Sequence, residues 1–297
     1  MTNTILNTQY TENIIETPVL NKNKGKNILG AFGWFGLFAI SSIVLIPALM
    51  ILGCLLDWDF VVDGTYAIAD FMEAVYAGNF SLEGFDMTTI IAASNLTLAS
   101  LLVSYIPIVV MMFIRRDVEG GFEKIDLAEA LKWMAIITGA NFVLEVIMVF
   151  FTEMPFFAEQ TNTLASVGIL STAGNPLLAL LATGIMAPIC EEITLRRGIQ
   201  NNLCKINPTF GIVAASVIFG VMHGNLFQGV FAALMGLILG YAYYKTNNLW
   251  YSTLMHIAVN SSAVLITLAG VNQYVAYGII PVVLGVMYFI VKNTKSN

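Results

Sequence analysis

Long uninterrupted runs of apolar residues dominate the chain. Residues 28–56 carry no charged side chain, and about 20 apolar residues are enough for a helix to cross a bilayer. Seven further runs bring the expected number of helices to about eight: 88–114, 133–151, 164–190, 209–224, 227–244, 249–269 and 272–291. A membrane β-barrel would instead show short segments of alternating polarity. The pattern therefore predicts an all-α fold, a polytopic membrane helical bundle.

The composition excludes several other classes of protein. Of the 297 residues, 58% are hydrophobic and 11% are charged, whereas a soluble domain has about 25% charged residues. This composition argues against a soluble enzyme and against a disordered chain, which needs low hydrophobicity. Thirteen Lys and Arg against nineteen Asp and Glu leave no basic field for nucleic acid.

The distribution of charge predicts the topology. Cytoplasmic loops of membrane proteins carry an excess of Lys and Arg. If the N-terminus is cytoplasmic and eight helices follow, all thirteen basic residues lie inside, and the outside loop at 57–86 holds seven acids and no Lys or Arg. We therefore expect both termini to be cytoplasmic. Residues 1–27 would form a polar cytoplasmic tail, and residues 28–292 a single transmembrane domain.

Ionisable side chains within apolar helices are costly and mark candidate functional sites. The candidates are Glu145, Glu191, Glu192, Arg196, Arg197, His223 and His256, and the last two are the only histidines of the chain. Glu191 and Glu192 project about 100° apart on a helix. Glu192 and Arg196 stand at i and i+4 and can pair, which would keep Glu192 ionised and leave Glu191 free to act as a base. The alternative is a solvated helix end.

Two further blocks add polar side chains to apolar helices. His223 follows Phe219 near the end of the run at 209–224. His256 and Asn260 share one face of the run at 249–269. Interhelical hydrogen bonding is the structural alternative for this pair. Straight helices would place Glu191 and His223 about 24 Å from their turn near 207–208, and His256 about 12 Å from its own turn. One site then forms if the hairpin of the fourth and fifth spans protrudes into the cytoplasm.

Taken together, the three blocks resemble the CPBP family, the CAAX-protease and bacteriocin-processing group also called Abi. Its pattern of Glu-Glu-x-x-x-Arg, Phe-x-x-x-His and His-x-x-x-Asn appears here as Glu191-Glu192…Arg196, Phe219…His223 and His256…Asn260. The resemblance covers about residues 164–265, the expected catalytic core. It implies an intramembrane glutamic endopeptidase similar to CAAX prenyl protease 2, which cleaves a membrane-associated peptide or protein.

By this resemblance, Glu191 and His223 would activate a water molecule, and His256 and Asn260 would stabilise the oxyanion. Glu192 and Arg196 would support them. No cofactor is implied, and a role in bacteriocin processing or self-immunity is possible within the family. The expected location is the plasma membrane of a bacterium.

Three other interpretations stay open at this point. Two His and one Glu are enough for a catalytic zinc site, although the H-E-x-x-H spacing of zinc peptidases is absent. A non-catalytic protein of bacteriocin immunity, or a membrane scaffold, could bind a partner through the same residues. A transporter would give Glu145 a role in proton relay, but no repeated halves with broken helices are visible. Cys54, Cys190 and Cys204 show no paired spacing that indicates a disulfide framework.

Overall fold

The computed structural model describes residues 23–55, 87–114, 121–152, 154–157 and 168–294. Within these ranges the regular structure is helical and no strand occurs, which confirms the all-α polytopic bundle. Most of the expected cytoplasmic tail and all of the expected outside loop at 57–86 lie outside the described residues.

Eight helices overlap the eight expected spans, but the fourth prediction, 164–190, is displaced. The helix observed there begins at Pro176 and continues to Cys204, because Arg196 and Arg197 are buried inside it and do not end it. Seven are long and apolar enough to cross a membrane. They are α1 (Lys24–Gly53), α2 (Met87–Ile114), α3 (Leu127–Thr152), α4 (Pro176–Cys204), α6 (Leu226–Thr246), α7 (Leu249–Ala269) and α8 (Gln273–Thr294). The remaining helix, α5 (Pro208–Met222), has only 15 residues. At 1.5 Å per residue it is about 22 Å long, shorter than the ~30 Å hydrocarbon core.

Asparagine side chains begin the three helices that carry the motif blocks, α4, α5 and α7, and also α6. The Oδ1 atom of Asn175 accepts hydrogen bonds from the backbone of the first turn of α4, and Asn207 does the same for α5. In both cases a proline follows, where its missing N–H costs nothing. Asn225 and Asn248 cap α6 and α7 in the same way. These caps satisfy backbone donors that a helix leaves unpaired.

Two helices near the site depart from regular α geometry. In α4, π-helical turns at Leu180–Met186 and Ile193–Gln200 flank a short α-helical segment, Ala187–Glu192, which holds both glutamates. In α2 the helix is interrupted at Tyr105. Pro107 explains this break, because proline lacks an N–H and clashes with the preceding turn.

The centre of the bundle is α4, and close backbone packing holds its neighbours. A Cβ atom added at Gly198 of α4 would lie 2.4 Å from Cγ of Trp34, so α1 rests directly on this glycine. A Cβ at Gly220 of α5 would lie 2.4 Å from the backbone oxygen of Gly229 in α6. Every residue from Ile193 to Gln200 is buried. Glycine therefore allows two helix pairs, α1–α4 and α5–α6, to approach closely where a side chain would separate them.

Contacts between turns place many of the basic residues at one end of the bundle. The Asn248 side chain, at the α6–α7 turn, accepts from the backbone N–H of Glu123 and donates to the carbonyl oxygen of Lys124. Near the end of α4, Gln200 donates to the carbonyl oxygen of Gly240, which lies near the end of α6. Gly30 of α1 packs on the Asn202 side chain at this same end. Lys24, Lys26, Lys124, Lys205 and Lys245 therefore share one end of the molecule, as the charge distribution predicts.

Candidate functional site

A cavity of about 370 Å³ lies within the bundle and receives side chains from α2 to α7. Glu191, His223, His256 and Asn260 all line it. The structure thus brings together the four residues that the sequence blocks single out. Straight helices would place Glu191 and His223 at a different depth from His256, but in the structure all of them reach the same cavity. The π-helical turns of α4 contribute to this, because a π-helix has more residues per turn than an α-helix and advances less per residue.

The pairing predicted between Glu192 and Arg196 is present. Arg196 Nε donates to Glu192 Oε2 over 2.9 Å, and neither side chain is exposed. Arg196 Nη1 also donates to Gln200 Oε1 at 3.3 Å, and Gln200 in turn is anchored on the Gly240 carbonyl. A buried ion pair needs such additional hydrogen bonds, because removing two charges from water is expensive. The network fixes Glu192 and leaves Glu191 to face the cavity.

His256 contacts both glutamates through its two ring nitrogens. Nδ1 lies 3.1 Å from Glu192 Oε1, and Nε2 lies 3.6 Å from Glu191 Oε2. The sequence reasoning assigned Glu192 only to Arg196 and missed this second contact. It joins residues 64 positions apart, and no local spacing reports a contact between separate helices.

His223 lies at the C-terminal end of α5, where the helix stops at Gly224 with φ of +66°. Its Nδ1 lies 2.8 Å from the carbonyl oxygen of Phe219. A carbonyl oxygen can only accept, so Nδ1 carries the proton and Nε2 is left for the cavity. The Phe219 ring packs edge-on against both imidazoles, with centroid distances of 4.9 Å to His223 and 5.5 Å to His256. This contact explains why a phenylalanine precedes the histidine in the block.

Asn260 is held by the first π-helical turn of α4. Its Nδ2 donates to the carbonyl oxygen of Thr183 at 3.2 Å, and the hydroxyl of the neighbouring Ser261 donates to the carbonyl oxygen of Gly184 at 3.0 Å. An amide nitrogen has two hydrogens. One is used by Thr183, so the second is available to a group in the cavity.

Sequence reasoning missed other polar residues of the cavity, which are Tyr105, Ser171, Thr183 and Gln228. Tyr105, at the break in α2, is 3% exposed and lines the same cavity as Glu191. A single tyrosine in an apolar run gives no signal of this role. Gln200 could have been noticed, because it stands four residues after Arg196.

Glu145 does not share this cavity. It lies on α3, the helix along which α8 packs. Zinc was a second candidate at the sequence level. Among the residues that the structure describes, no three or more His, Cys, Asp or Glu side chains are grouped so as to hold a metal ion.

The fold and the cavity define a class of protein: a helical membrane bundle with a carboxylate–imidazole site inside it. Residues 173–262 match the model of a family described as Rce1-like, type II CAAX prenyl endopeptidase Rce1-like. This segment contains all three motif blocks.

A search of curated proteins gives a match to "Putative membrane peptidase YdiL" of Bacillus subtilis (strain 168), 31% identical over 117 residues. The aligned part is 39% of this chain and 47% of that relative, so the chain matches about half the relative's length. No solved structure matches significantly. The two matches confirm, for this segment, the resemblance to membrane peptidases of the CPBP family.

Proposed function

We propose that the protein is an intramembrane endopeptidase whose general base is Glu191. The observation that supports this most directly is the unequal placement of the two glutamates. Glu192 is bound by Arg196 and His256, whereas Glu191 lines a cavity together with two imidazoles and an amide. A carboxylate, an imidazole and hydrogen-bond donors around one space are the parts that peptide hydrolysis requires.

In the proposed reaction, Glu191 removes a proton from a water molecule, and His223 helps to orient that water through its Nε2. The oxygen of the water attacks the peptide carbonyl carbon, and the carbonyl oxygen becomes an oxyanion. His256 Nε2 and the second hydrogen of Asn260 Nδ2 donate to this oxyanion. Collapse breaks the C–N bond, and the proton held by Glu191 passes to the leaving amine.

The substrate proposed for this site is a membrane-associated peptide or protein with apolar side chains near the cleaved bond. One wall of the cavity is apolar and comes from α2, α3 and α6, through Leu101, Ile137, Phe231, Met235 and Leu239. Such a wall favours apolar groups by the hydrophobic effect. We also propose that the protein lies in a bacterial plasma membrane. Within the family's roles, we propose that it acts in bacteriocin processing or in self-immunity.

A cleavage assay in liposomes tests this function. Wild type and Glu191→Gln are compared on quenched apolar and lipidated peptides, with and without a chelator. Cleavage that survives the chelator and disappears in Glu191→Gln is the expected result. Cleavage lost with the chelator would assign the chemistry to zinc.

Binding without cleavage is the remaining outcome of the assay. If no peptide is cut, both proteins are compared for bacteriocin sensitivity of the host. Equal protection by wild type and Glu191→Gln would contradict the peptidase and indicate a binding protein.

A further inference from the structure

The buried groups around Glu192 and Glu191 have an unbalanced charge unless one more proton is present. Glu192 contacts Arg196 and His256, and Glu191 contacts the other ring nitrogen of His256. Two carboxylates and one guanidinium sum to −1 before any histidine is counted. The His256 ring lies between the two carboxylates, and opposite charges at this distance favour the charged form of an imidazole, so one additional proton on this ring balances the sum. Tyr105, whose hydroxyl carries no charge at neutral pH, lines the same cavity.

The hydrogen bonds determine where that proton can be held. Glu192 Oε2 accepts from Arg196, and Glu192 Oε1 lies 3.1 Å from His256 Nδ1. An ionised carboxylate only accepts, so His256 Nδ1 bears a hydrogen. The next proton on this ring must go to Nε2, which is the nitrogen that faces Glu191 Oε2 at 3.6 Å. In His223, by comparison, Nδ1 contacts the neutral carbonyl oxygen of Phe219, where His256 Nδ1 contacts a carboxylate.

We infer that Glu192 is a positioning residue that fixes the hydrogen of His256 on Nδ1, and that Glu191 and Glu192 together hold this ring as an imidazolium, so that the site at rest contains the Glu191 carboxylate beside a cationic oxyanion donor. This inference rests on the proposed function. Without the extra proton, a His256 ring with hydrogen on Nδ1 would present a bare Nε2 lone pair, which repels an oxyanion. With it, Nε2–H is a charged donor, and such hydrogen bonds are roughly twice as strong as neutral ones.

Two conservative variants separate this arrangement from a merely structural role for Glu192. In Glu192→Gln the amide oxygen must face Arg196, because a guanidinium has no acceptor. The amide NH₂ then donates to His256 Nδ1 and leaves that ring neutral with its hydrogen on Nε2. In Glu191→Gln the remaining carboxylate and Arg196 already balance, so His256 becomes neutral but keeps its hydrogen on Nδ1. The His256 ring should therefore be neutral in both variants, with its hydrogen on Nε2 in Glu192→Gln and on Nδ1 in Glu191→Gln.

The test is nitrogen NMR of the full-length protein labelled with ¹⁵N-histidine in lipid nanodiscs at neutral pH. The chain has two histidines, so a His223→Gln sample assigns the rings. We expect His256 to be protonated on both nitrogens in wild type and in the matched control Glu145→Gln. We expect the hydrogen on Nε2 alone in Glu192→Gln and on Nδ1 alone in Glu191→Gln. A neutral His256 in wild type would overturn the inference, whether or not Glu192→Gln folds.

Kinetics give a second readout. Glu192→Gln retains a neutral Nε2–H donor, so kcat should fall about 10- to 100-fold, less than the 10²–10³-fold expected for loss of a whole donor, with KM unchanged. A KM rise at constant kcat would contradict the positioning role. The NMR result does not depend on turnover, so absence of cleavage with an imidazolium present would reject the peptidase and not the charge state.

Discussion

Glu191 and Glu192 show how two identical neighbours on a helix acquire different functions from their surroundings. Glu192 points into a dry network with Arg196 and His256, and its side chain is fully buried. Glu191 points to a cavity and meets His256 only at 3.6 Å, beyond normal hydrogen-bond length. The fixed carboxylate of Glu192 can hold neighbouring side chains in position, whereas the carboxylate of Glu191, beside open space, can react with a substrate.

The catalytic assignment predicts a steep loss of activity at three positions. Glu191→Gln, His223→Ala and His256→Ala should each abolish cleavage while leaving the protein inserted and folded, because each removes a group that the reaction requires. Steady-state cleavage rates, with size-exclusion profiles in detergent as the control for folding, measure this. Normal turnover in any of the three variants would remove that residue from the mechanism.

Asn260→Ala should lower kcat about 10²–10³-fold, the effect of losing one oxyanion donor. Ser261→Ala is a matched control, because Ser261 also anchors α7 to the π-helical turn of α4 through a carbonyl oxygen but is outside the cavity lining. It should retain near-normal cleavage. An equal loss in both variants would mean that Asn260 acts only in holding the helices together.

Glu145→Gln should be nearly silent in the cleavage assay. Glu145 lies on α3, which packs along α8, and does not line the cavity, and glutamine keeps the size and the hydrogen-bonding capacity of the side chain. Cleavage and thermal stability of the variant in detergent measure the effect. A dead enzyme with normal stability would bring back the transport interpretation.

At the scale of the helices, α4 is the element that organises the site. Its two π-helical turns lie on either side of the glutamates, and the carbonyl oxygens of the first accept from the α7 side chains Asn260 and Ser261. The second turn presents Arg196 to Glu192 and Gly198 to α1. Short π-helical turns occur frequently at functional sites, and here they provide contacts to several helices from one segment.

Gly198→Ala should destabilise the protein, because a Cβ there would lie 2.4–2.9 Å from three atoms of Trp34. Overpacking of this kind costs about 1–3 kcal/mol. Thermal unfolding in detergent measures the loss, and Gly198→Ala should cost less when it is made in a Trp34→Ala background, where the opposing ring is absent. Gly33→Ala in α1 has open space around its Cβ and should leave stability unchanged; an equal loss there would contradict the packing argument.

At the scale of the whole molecule, one end of the bundle gathers lysines and the turns that precede α3, α5 and α7. The contacts of Asn248 with residues 123 and 124 connect two of these segments. The turn between α7 and α8, at Gly270 and Val271, lies at the other end of α7. By the positive-inside rule, we expect the lysine-rich end to face the cytoplasm.

Thiol labelling in intact cells tests this orientation. In a background without native cysteines, Lys124→Cys should be protected from a membrane-impermeant reagent and react only after lysis. Asn272→Cys, in the α7–α8 turn, should react in intact cells. The reverse pattern would place the lysine-rich end outside and contradict cytoplasmic termini.

Much of the fold and half of the site can be predicted from local sequence. The helices follow from apolar runs whose length matches a bilayer, and the Glu192–Arg196 pair follows from i, i+4 spacing. The shared face of His256 and Asn260 follows from the same periodicity. These features depend on the geometry of one helix, which is the same wherever the helix lies.

What only the tertiary structure decided is which side chains meet across helices. The contact of His256 with Glu192, the bond from Asn260 to Thr183 and the place of Tyr105 in the same cavity as Glu191 depend on π-helical turns, a proline break and glycine contacts. These set the depth and rotation of each helix. Apolar runs leave both undetermined, because many rotations bury similar apolar area in a bilayer. The sequence therefore determined the membrane helices and the candidate side chains. The packing of the helices determined which of these side chains contact each other.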